Sequence, residues 1–377
     1  MKNILVTGSP GFIGANLVIK LLKTLTSGLI VSLDNLNDYY DPELKLYRLR
    51  LIEEAAKETA ATSATSPVQH IFIKGDIADK ELVDNVFRQY KFDTVVNLAA
   101  QAGVRYSIEH PDVYISSNIT GFYNILEACR HSYDGEDSGA AGVYSGVQHL
   151  IYASSSSVYG GNKKIPFSTD DPVDHPVSLY AATKKSNELL AHSYAKLYNI
   201  PSTGLRFFTV YGPAGRPDMF YFSATQRLVA GEKIKIFNYG NMKRDFTYVD
   251  DIVEGVIRVM ACPPQKAVGE DGLPIPPYAI YNIGGGQPEN LLDFIQVLQE
   301  ELVRAKVLPS NYDFEGHREL VGMQAGDVPI TYADTTALER DFGFRPSTDI
   351  RTGLRKFCEW YAEYYSKIMN DKIMNDK

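Results

Sequence analysis

The chain has 377 residues, 44% of them hydrophobic and 22% charged, which is enough apolar material for a large core and for two lobes. A formal net charge of -8 leaves no basic footprint for a nucleic acid. Cys129, Cys262 and Cys358 are isolated, so neither a metal site nor a disulfide framework is predicted and a reducing, cytoplasmic setting is expected. No apolar run approaches the ~20 residues that span a bilayer, and Lys2 leads straight into a strand-like run rather than a signal peptide.

In chain order, Lys2 to Thr7 suits a buried parallel strand and Phe12 to Leu25 turns helical. Between and just inside them fall Gly8, Gly11 and Gly14. Glycines there let backbone approach a pyrophosphate and present amide N–H groups at a helix N-terminus, so Gly8, Gly11, Phe12, Ile13 and Gly14 are predicted to cradle a dinucleotide. The spacing is GxxGxxG, looser than GxGxxG, and an ordinary strand-to-helix turn would use the same residues. The next strand-like run, Leu29 to Leu33, favours the cradle because it ends in Asp34, where a carboxylate accepts from ribose hydroxyls and repels a 2′-phosphate. NAD is therefore expected over NADP. Asn35, then Asp76 and Ile77 after the strand-like His70 to Lys74, and Leu98, Ala99 and Ala100 closing the run from Val95, are assigned to the same cofactor wall. Ala55 to Pro67 and Asp134 to Gly146 read as surface-loop insertions.

Leu150 to Ala153 is another strand-like run, and it feeds Ser154-Ser155-Ser156-Ser157. Of three YxxxK matches, Tyr159/Lys163 and Tyr239/Lys243 fall in glycine-containing loops. Tyr180/Lys184 lies in a helix that Ser178 caps and Pro201 follows, so phenol and ammonium share a face. A nearby ammonium and a nicotinamide cation would both favour the phenolate, making Tyr180 a base for a sugar hydroxyl. Any of the serines could hold the same substrate oxygen. Beyond about residue 200 the strand and helix alternation gives way to helices at Phe220 to Gly231, Leu291 to Lys306 and Thr335 to Phe342, with Phe357 to Met369 closing the fold. The tail repeats Lys-Ile-Met-Asn-Asp and is expected to fray.

These segments, with Asp34 to Pro42, Asn97 to Arg105, Arg206 to Pro213 and Arg244 to Asp251, resemble the extended short-chain dehydrogenase/reductases along nearly the whole chain. Within that family they are similar to the UDP-glucuronate 4-epimerases. The resemblance implies a Rossmann-type doubly wound parallel α/β sheet with a smaller mixed α/β lobe. Residues 1–205 would mainly bind NAD and 206–377 mainly the nucleotide sugar, with the chain crossing between the two. It places Ser155, Tyr180 and Lys184 on the catalytic set and Asn118 on a structural asparagine of the same set, counted with the cofactor contacts. It further implies interconversion of UDP-glucuronate and UDP-galacturonate through a 4-keto sugar, with hydride passed to bound NAD and returned. Helices around Val113 to Arg130 and Tyr180 to Tyr198 would form a homodimer interface.

Related dehydratases and decarboxylases carry acidic residues at the positions of Ser156 and Ser157; hydroxyls here leave those reactions without an acid or base. UDP-glucose 4-epimerases resemble the chain but carry Asn at Thr209 and Arg at Gln324. Substrate contacts are accordingly assigned to Ser156, Ser157, Thr209, Arg216 and Arg244, with Arg216 pairing a C6 carboxylate and Arg244 the diphosphate. The simpler alternatives are a carboxylate partner for Arg216 and an ion pair from Arg244 to Asp250 or Asp251. Ala214 stands where such epimerases usually place Trp, which predicts a more open wall beside Arg216. Remaining rivals are a UDP-glucose or other nucleotide-sugar epimerase, a UDP-glucuronate decarboxylase, and a non-enzymatic NAD-binding sensor, which would be expected to lose Tyr180 or Lys184.

Overall fold

The computed structural model describes residues 2–62, 68–133, 145–323 and 327–375, with side chains through Ser366 except that of Thr62. Its centre is a seven-stranded sheet built from β1 (Lys2–Thr7), β2 (Gly28–Asp34), β3 (Gln69–Lys74), β4 (Thr94–Asn97), β5 (His149–Ser155), β6 (Ser202–Phe207) and β7 (Tyr278–Ile283). The order is β7-β6-β5-β4-β1-β2-β3, and every pairing is parallel. Both faces are covered, which is why the strands read as continuous apolar runs. Ile4 and Val6 of β1 pack into one core with Leu17 and Val18, whereas Leu5 between them packs into the other with Val86, Ile125 and Leu126. The strand order reverses between β1 and β4, and the crevice beyond the carboxyl ends of strands at such a point is where a doubly wound sheet binds its ligand.

The chain past residue 205 contributes to this sheet as well as to the smaller lobe. β7 joins beside β6, and helix Val249–Met260 packs against helix Phe12–Thr24. The lobe proper holds short strand pairs, Thr209–Tyr211 with Phe246–Tyr248 and Ile234–Ile236 with Arg318–Leu320, and helices Phe220–Val229, Leu291–Arg304 and Ile350–Asn375. The last helix is tied to helix Pro42–Thr62 by aromatic contacts: Tyr47 meets Tyr364 edge-on at 4.7 Å, and Trp360 Nε1 donates to the Tyr47 hydroxyl at 3.2 Å. No helix among the described residues is long and apolar enough to cross a membrane.

Three expected boundaries differ. The alanine-rich stretch from Ala55 is not a loop but the last part of helix Pro42–Thr62, because Ala favours helix and Ile52 and Ala55 are buried on its inner face; residues 63–67 lie outside the described ones. Of Asp134 to Gly146, residues 134–144 also lie outside them. The helix expected around Val113 to Arg130 is broken into Pro111–Tyr114, a π-helical turn Ile115–Gly121 and Phe122–His131. The closing helix continues as backbone through the repeated tail to Asn375 instead of fraying at its start.

Candidate active site

A cavity of about 1040 Å³ opens at the reversal point, and the predicted cofactor wall, Gly8, Gly11, Phe12, Ile13, Gly14, Asp34, Asn35, Asp76, Ile77, Leu98, Ala99 and Ala100, lines it. Gly8 has φ +70°, and a Cβ there would sit 2.7 Å from the Ala99 nitrogen; a Cβ on Gly14 would sit 2.2 Å from the Gly8 oxygen. Only glycine closes this turn. Helix Phe12–Thr24 then starts with neither a side-chain cap nor an acid in its first turn. Its first amides therefore lack partners within the helix and meet the cavity as an anion site, which fits a pyrophosphate. At the end of β2, Asp34 accepts from Leu36 N at 2.7 Å and lies 3.8 Å from the Lys45 ammonium. Burial pushes its carboxyl up while Lys45 opposes the shift. Asn35 donates to Asp76 at 2.8 Å, tying the tips of two strand ends together.

Asn118 is the exception. It is buried off the cavity wall, where its amide exchanges bonds with Gln101 backbone at 2.8 and 3.0 Å and donates to Thr183 at 3.0 Å. The π-helical turn points it at these partners, so it braces the Tyr180 helix rather than facing a cofactor. Ser117 lines the cavity in its stead.

Ser178 caps helix Leu179–Tyr198 by accepting from Ala181 N at 3.1 Å, and this sets Tyr180 and Lys184 on the cavity face. Strand alternation then separates the serines. Ser154 turns away and donates to Glu188 at 2.7 Å, whereas Ser155 stays beside the Tyr180 phenol and accepts from Ser157 N and Oγ at 3.1 and 2.9 Å. Burial raises the Tyr180 phenol, while Ser155 and the Arg216 charge act in the opposite sense. The Lys184 ammonium bonds the Ala153 carbonyl at 2.8 Å, and burial, with Arg216 adding, lowers it to about 8. The rival tyrosines are spent elsewhere: Tyr159 is buried against Asn282 and Arg206, and Tyr239 is 65% exposed.

Under the serine strand lies a buried ion pair that the sequence did not flag. Arg206 meets Glu188 at 2.8 and 2.9 Å, and neither side chain is more than 2% exposed. Replacing Glu188 by Gln would leave a buried guanidinium uncompensated, and a loss of about 3–5 kcal/mol in unfolding free energy is expected in a denaturant titration.

At the sugar end, Thr209, Arg216, Ser156 and Ser157 line the cavity. Arg216 has the carboxylate partner foreseen as the simpler alternative: its Nε and Nη2 donate to Asp218 at 3.0 and 2.5 Å, yet its charge also reaches Tyr180 and Lys184. Arg244 lines the far end and donates only to the carbonyls of Lys243 and Pro329 at 3.0 and 3.2 Å and, longer, to Met242 sulfur. Burial lowers it, with Asp327 opposing. The expected pair with Asp250 or Asp251 does not form; Asp250 faces Lys356 at 3.9 Å and Asp251 accepts from Ser347 and Thr348.

Ala214 is not a cavity wall. It has φ +50° and its carbonyl accepts from Arg48 Nε at 2.8 Å. Arg48 also donates to Gly215, Pro10 and Tyr40 at 2.7, 3.2 and 2.7 Å, so one buried guanidinium joins the glycine turn to the Arg216 loop. Gln324 lies outside the described residues. Sequence reasoning missed Lys45, Tyr39 and Asp218, which line the cavity, and Arg48, which braces it from behind. No metal-binding cluster of His, Cys, Asp or Glu occurs among the described residues.

A doubly wound sheet with a glycine-cradled cavity and a Ser155–Tyr180–Lys184 cluster defines an NAD-dependent enzyme of the short-chain dehydrogenase/reductase type. Residues 4–284 match the model of the NAD dependent epimerase/dehydratase family, and the chain belongs to that family. It is 47% identical to Protein CapI of Staphylococcus aureus over 97% of this chain and 99% of that one. It is 43% identical to UDP-glucuronate 4-epimerase 4 of Arabidopsis thaliana over 96% of this chain and 76% of that one. Its structure resembles UDP-glucuronic acid 4-epimerase from Bacillus cereus, solved with UDP-glucuronic acid and NAD, with TM-score 0.76, 28% identity, and 96% of this chain and 100% of that one covered. The enzyme is an isomerase of the nucleotide-sugar epimerase type.

Proposed function

We propose that the chain interconverts UDP-glucuronate and UDP-galacturonate at C4. The observation that carries the sugar assignment is Arg216, a guanidinium in the cavity whose charge reaches Tyr180, with Ser156, Ser157 and Thr209 lining the same cavity and no acidic residue in the serine run. Arg216 would pair with the C6 carboxylate and the hydroxyls would complete its hydrogen bonds. Ser155 holds the C4 oxygen while Tyr180 takes its proton. When bound, NAD would supply the hydride acceptor for C4 and the donor for its return, which leaves no net redox change. The glycine turn, the first turn of helix Phe12–Thr24 and Asp34 would hold that cofactor, and Lys184 would add positive charge beside Tyr180. Arg244, without a carboxylate partner among the described residues, would receive the diphosphate.

The Asp218 partner on Arg216 favours a second reading, a UDP-glucose 4-epimerase in which the guanidinium is already neutralised. Measured kcat/KM values separate them: the uronate is expected to win by at least about 10- to 100-fold, the worth of charged hydrogen bonds at C6. A preference for UDP-glucose would overturn the proposal. The exposed Ile115, Tyr123, Leu189 and Leu197 on the two helical segments named above support a homodimer, the assembly that the family resemblance implies.

A further inference from the structure

We propose that Asp218 is a positioning residue for Arg216, a built-in counter-carboxylate that fixes one edge of the guanidinium and leaves the other edge for the C6 carboxylate of the substrate. This rests on the uronic acid reading above.

The geometry is edge-specific. Nε and Nη2 of Arg216 donate to Oδ1 and Oδ2 of Asp218 at 3.0 and 2.5 Å. A guanidinium has five N–H donors in a planar fork, so both donors of Nη1 and the second of Nη2 stay available, and Nη1 takes no hydrogen bond among the described residues. That free edge is itself a bidentate carboxylate site. Asp218 is fixed from its other side, because the Tyr39 hydroxyl donates to Oδ2 at 3.2 Å and the Tyr39 ring packs edge-on against Tyr106 at 4.7 Å. Burial disfavours the Asp218 carboxylate, but Arg216 and Tyr39 outweigh it and keep the group below the usual carboxylate range. The two Arg216–Asp218 bonds, with Asp218 itself held by the Tyr39 hydroxyl and Tyr39 by its ring contact with Tyr106, therefore stop a long, flexible side chain from swinging toward Tyr180.

An acidic residue in a site for an acidic sugar raises the cost of substrate binding, so its use must lie in what it orients. Once C4 is a ketone, the sugar is a β-keto acid. If its carboxylate turns so that the C5–C6 bond overlaps the carbonyl π system, that bond breaks, carbon dioxide leaves, and the electron pair passes to the C4 oxygen as an enolate. The enolate takes a proton at C5 to give UDP-4-keto-pentose, and the two electrons removed from C4 stay with the cofactor. A clamped Arg216 holds the carboxylate out of that overlap.

Asp218→Asn tests this, read by proton NMR of products and by kcat and KM with UDP-glucuronate. The expected result is a kcat lowered about 10- to 100-fold, as for a misoriented reactant, with a KM unchanged or lower and UDP-4-keto-pentose appearing among the products. Tyr39→Phe, which frees the same carboxylate from its second anchor, is expected to shift all three readouts in the same direction by less, and it carries the test if Asp218→Asn fails to fold. Clean UDP-galacturonate from both variants, or an unchanged kcat with a lower KM, would overturn the proposal, the latter showing that Asp218 merely occupies Arg216 until substrate displaces it. A wild-type enzyme that leaves UDP-glucuronate untouched would instead overturn the substrate reading.

Discussion

Tyr180→Phe is expected to lower kcat about 100- to 10,000-fold, the range for losing a positioned acid–base group, with KM and NAD content changed little. The phenol is the titratable group beside Ser155 in the cavity, and Ser155 keeps its bonds to Ser157 when that hydroxyl is gone. Helix Leu179–Tyr198 keeps its Ser178 cap, so the substitution costs little fold stability. Burial raises the Tyr180 phenol and the Arg216 charge opposes that shift; the positive charge of a nicotinamide bound in the cavity would favour the phenolate further. Steady-state kinetics on UDP-glucuronate, with NAD measured in the purified variant, check this; activity within tenfold of wild type would move the base to another residue.

Arg216→Ala is expected to act differently, by changing what the enzyme makes. Removing the guanidinium deletes the C6 anchor and leaves Asp218 facing the uronate unpaired, two like charges in a partly dry cavity. KM for UDP-glucuronate should rise about 10- to 100-fold, and part of the product should be UDP-4-keto-pentose, seen by proton NMR. An unchanged KM with clean UDP-galacturonate would remove Arg216 from the substrate contacts. The contrast with Asp218→Asn is in KM, which rises in one variant and not in the other.

Much of this site was legible because its signals are local. The apolar run before Gly8, the three glycines, Asp34 at the end of β2 and Ser178 before the Tyr180 helix each follow from a few neighbouring residues and the period of one element. The four serines were not separable in the sequence; which one meets Tyr180 depends on strand alternation and on Glu188, which captures Ser154 from a helix some thirty residues on. Arg48 and Lys45 were invisible for a related reason. On a mixed-polarity helix they read as solvent-facing, and what buries Arg48 is the carbonyls of Ala214 and Gly215, more than 160 residues away. Asn118, which the resemblance makes a structural asparagine of the catalytic set, is aimed by the π-helical turn at Gln101 and Thr183, partners that no local pattern names. The partner of Arg216 was foreseen only as a generic carboxylate, since the short step through Pro217 to Asp218 says nothing about which edge of the guanidinium is used.

The measurement that tests the account most directly is proton NMR of UDP-glucuronate incubated with purified protein and no added cofactor or reductant. The account predicts UDP-galacturonate accumulating to a steady ratio with no pentose and no net reduced nicotinamide. A pentose as the main product, or an unchanged UDP-glucuronate beside a turned-over UDP-glucose, would contradict it.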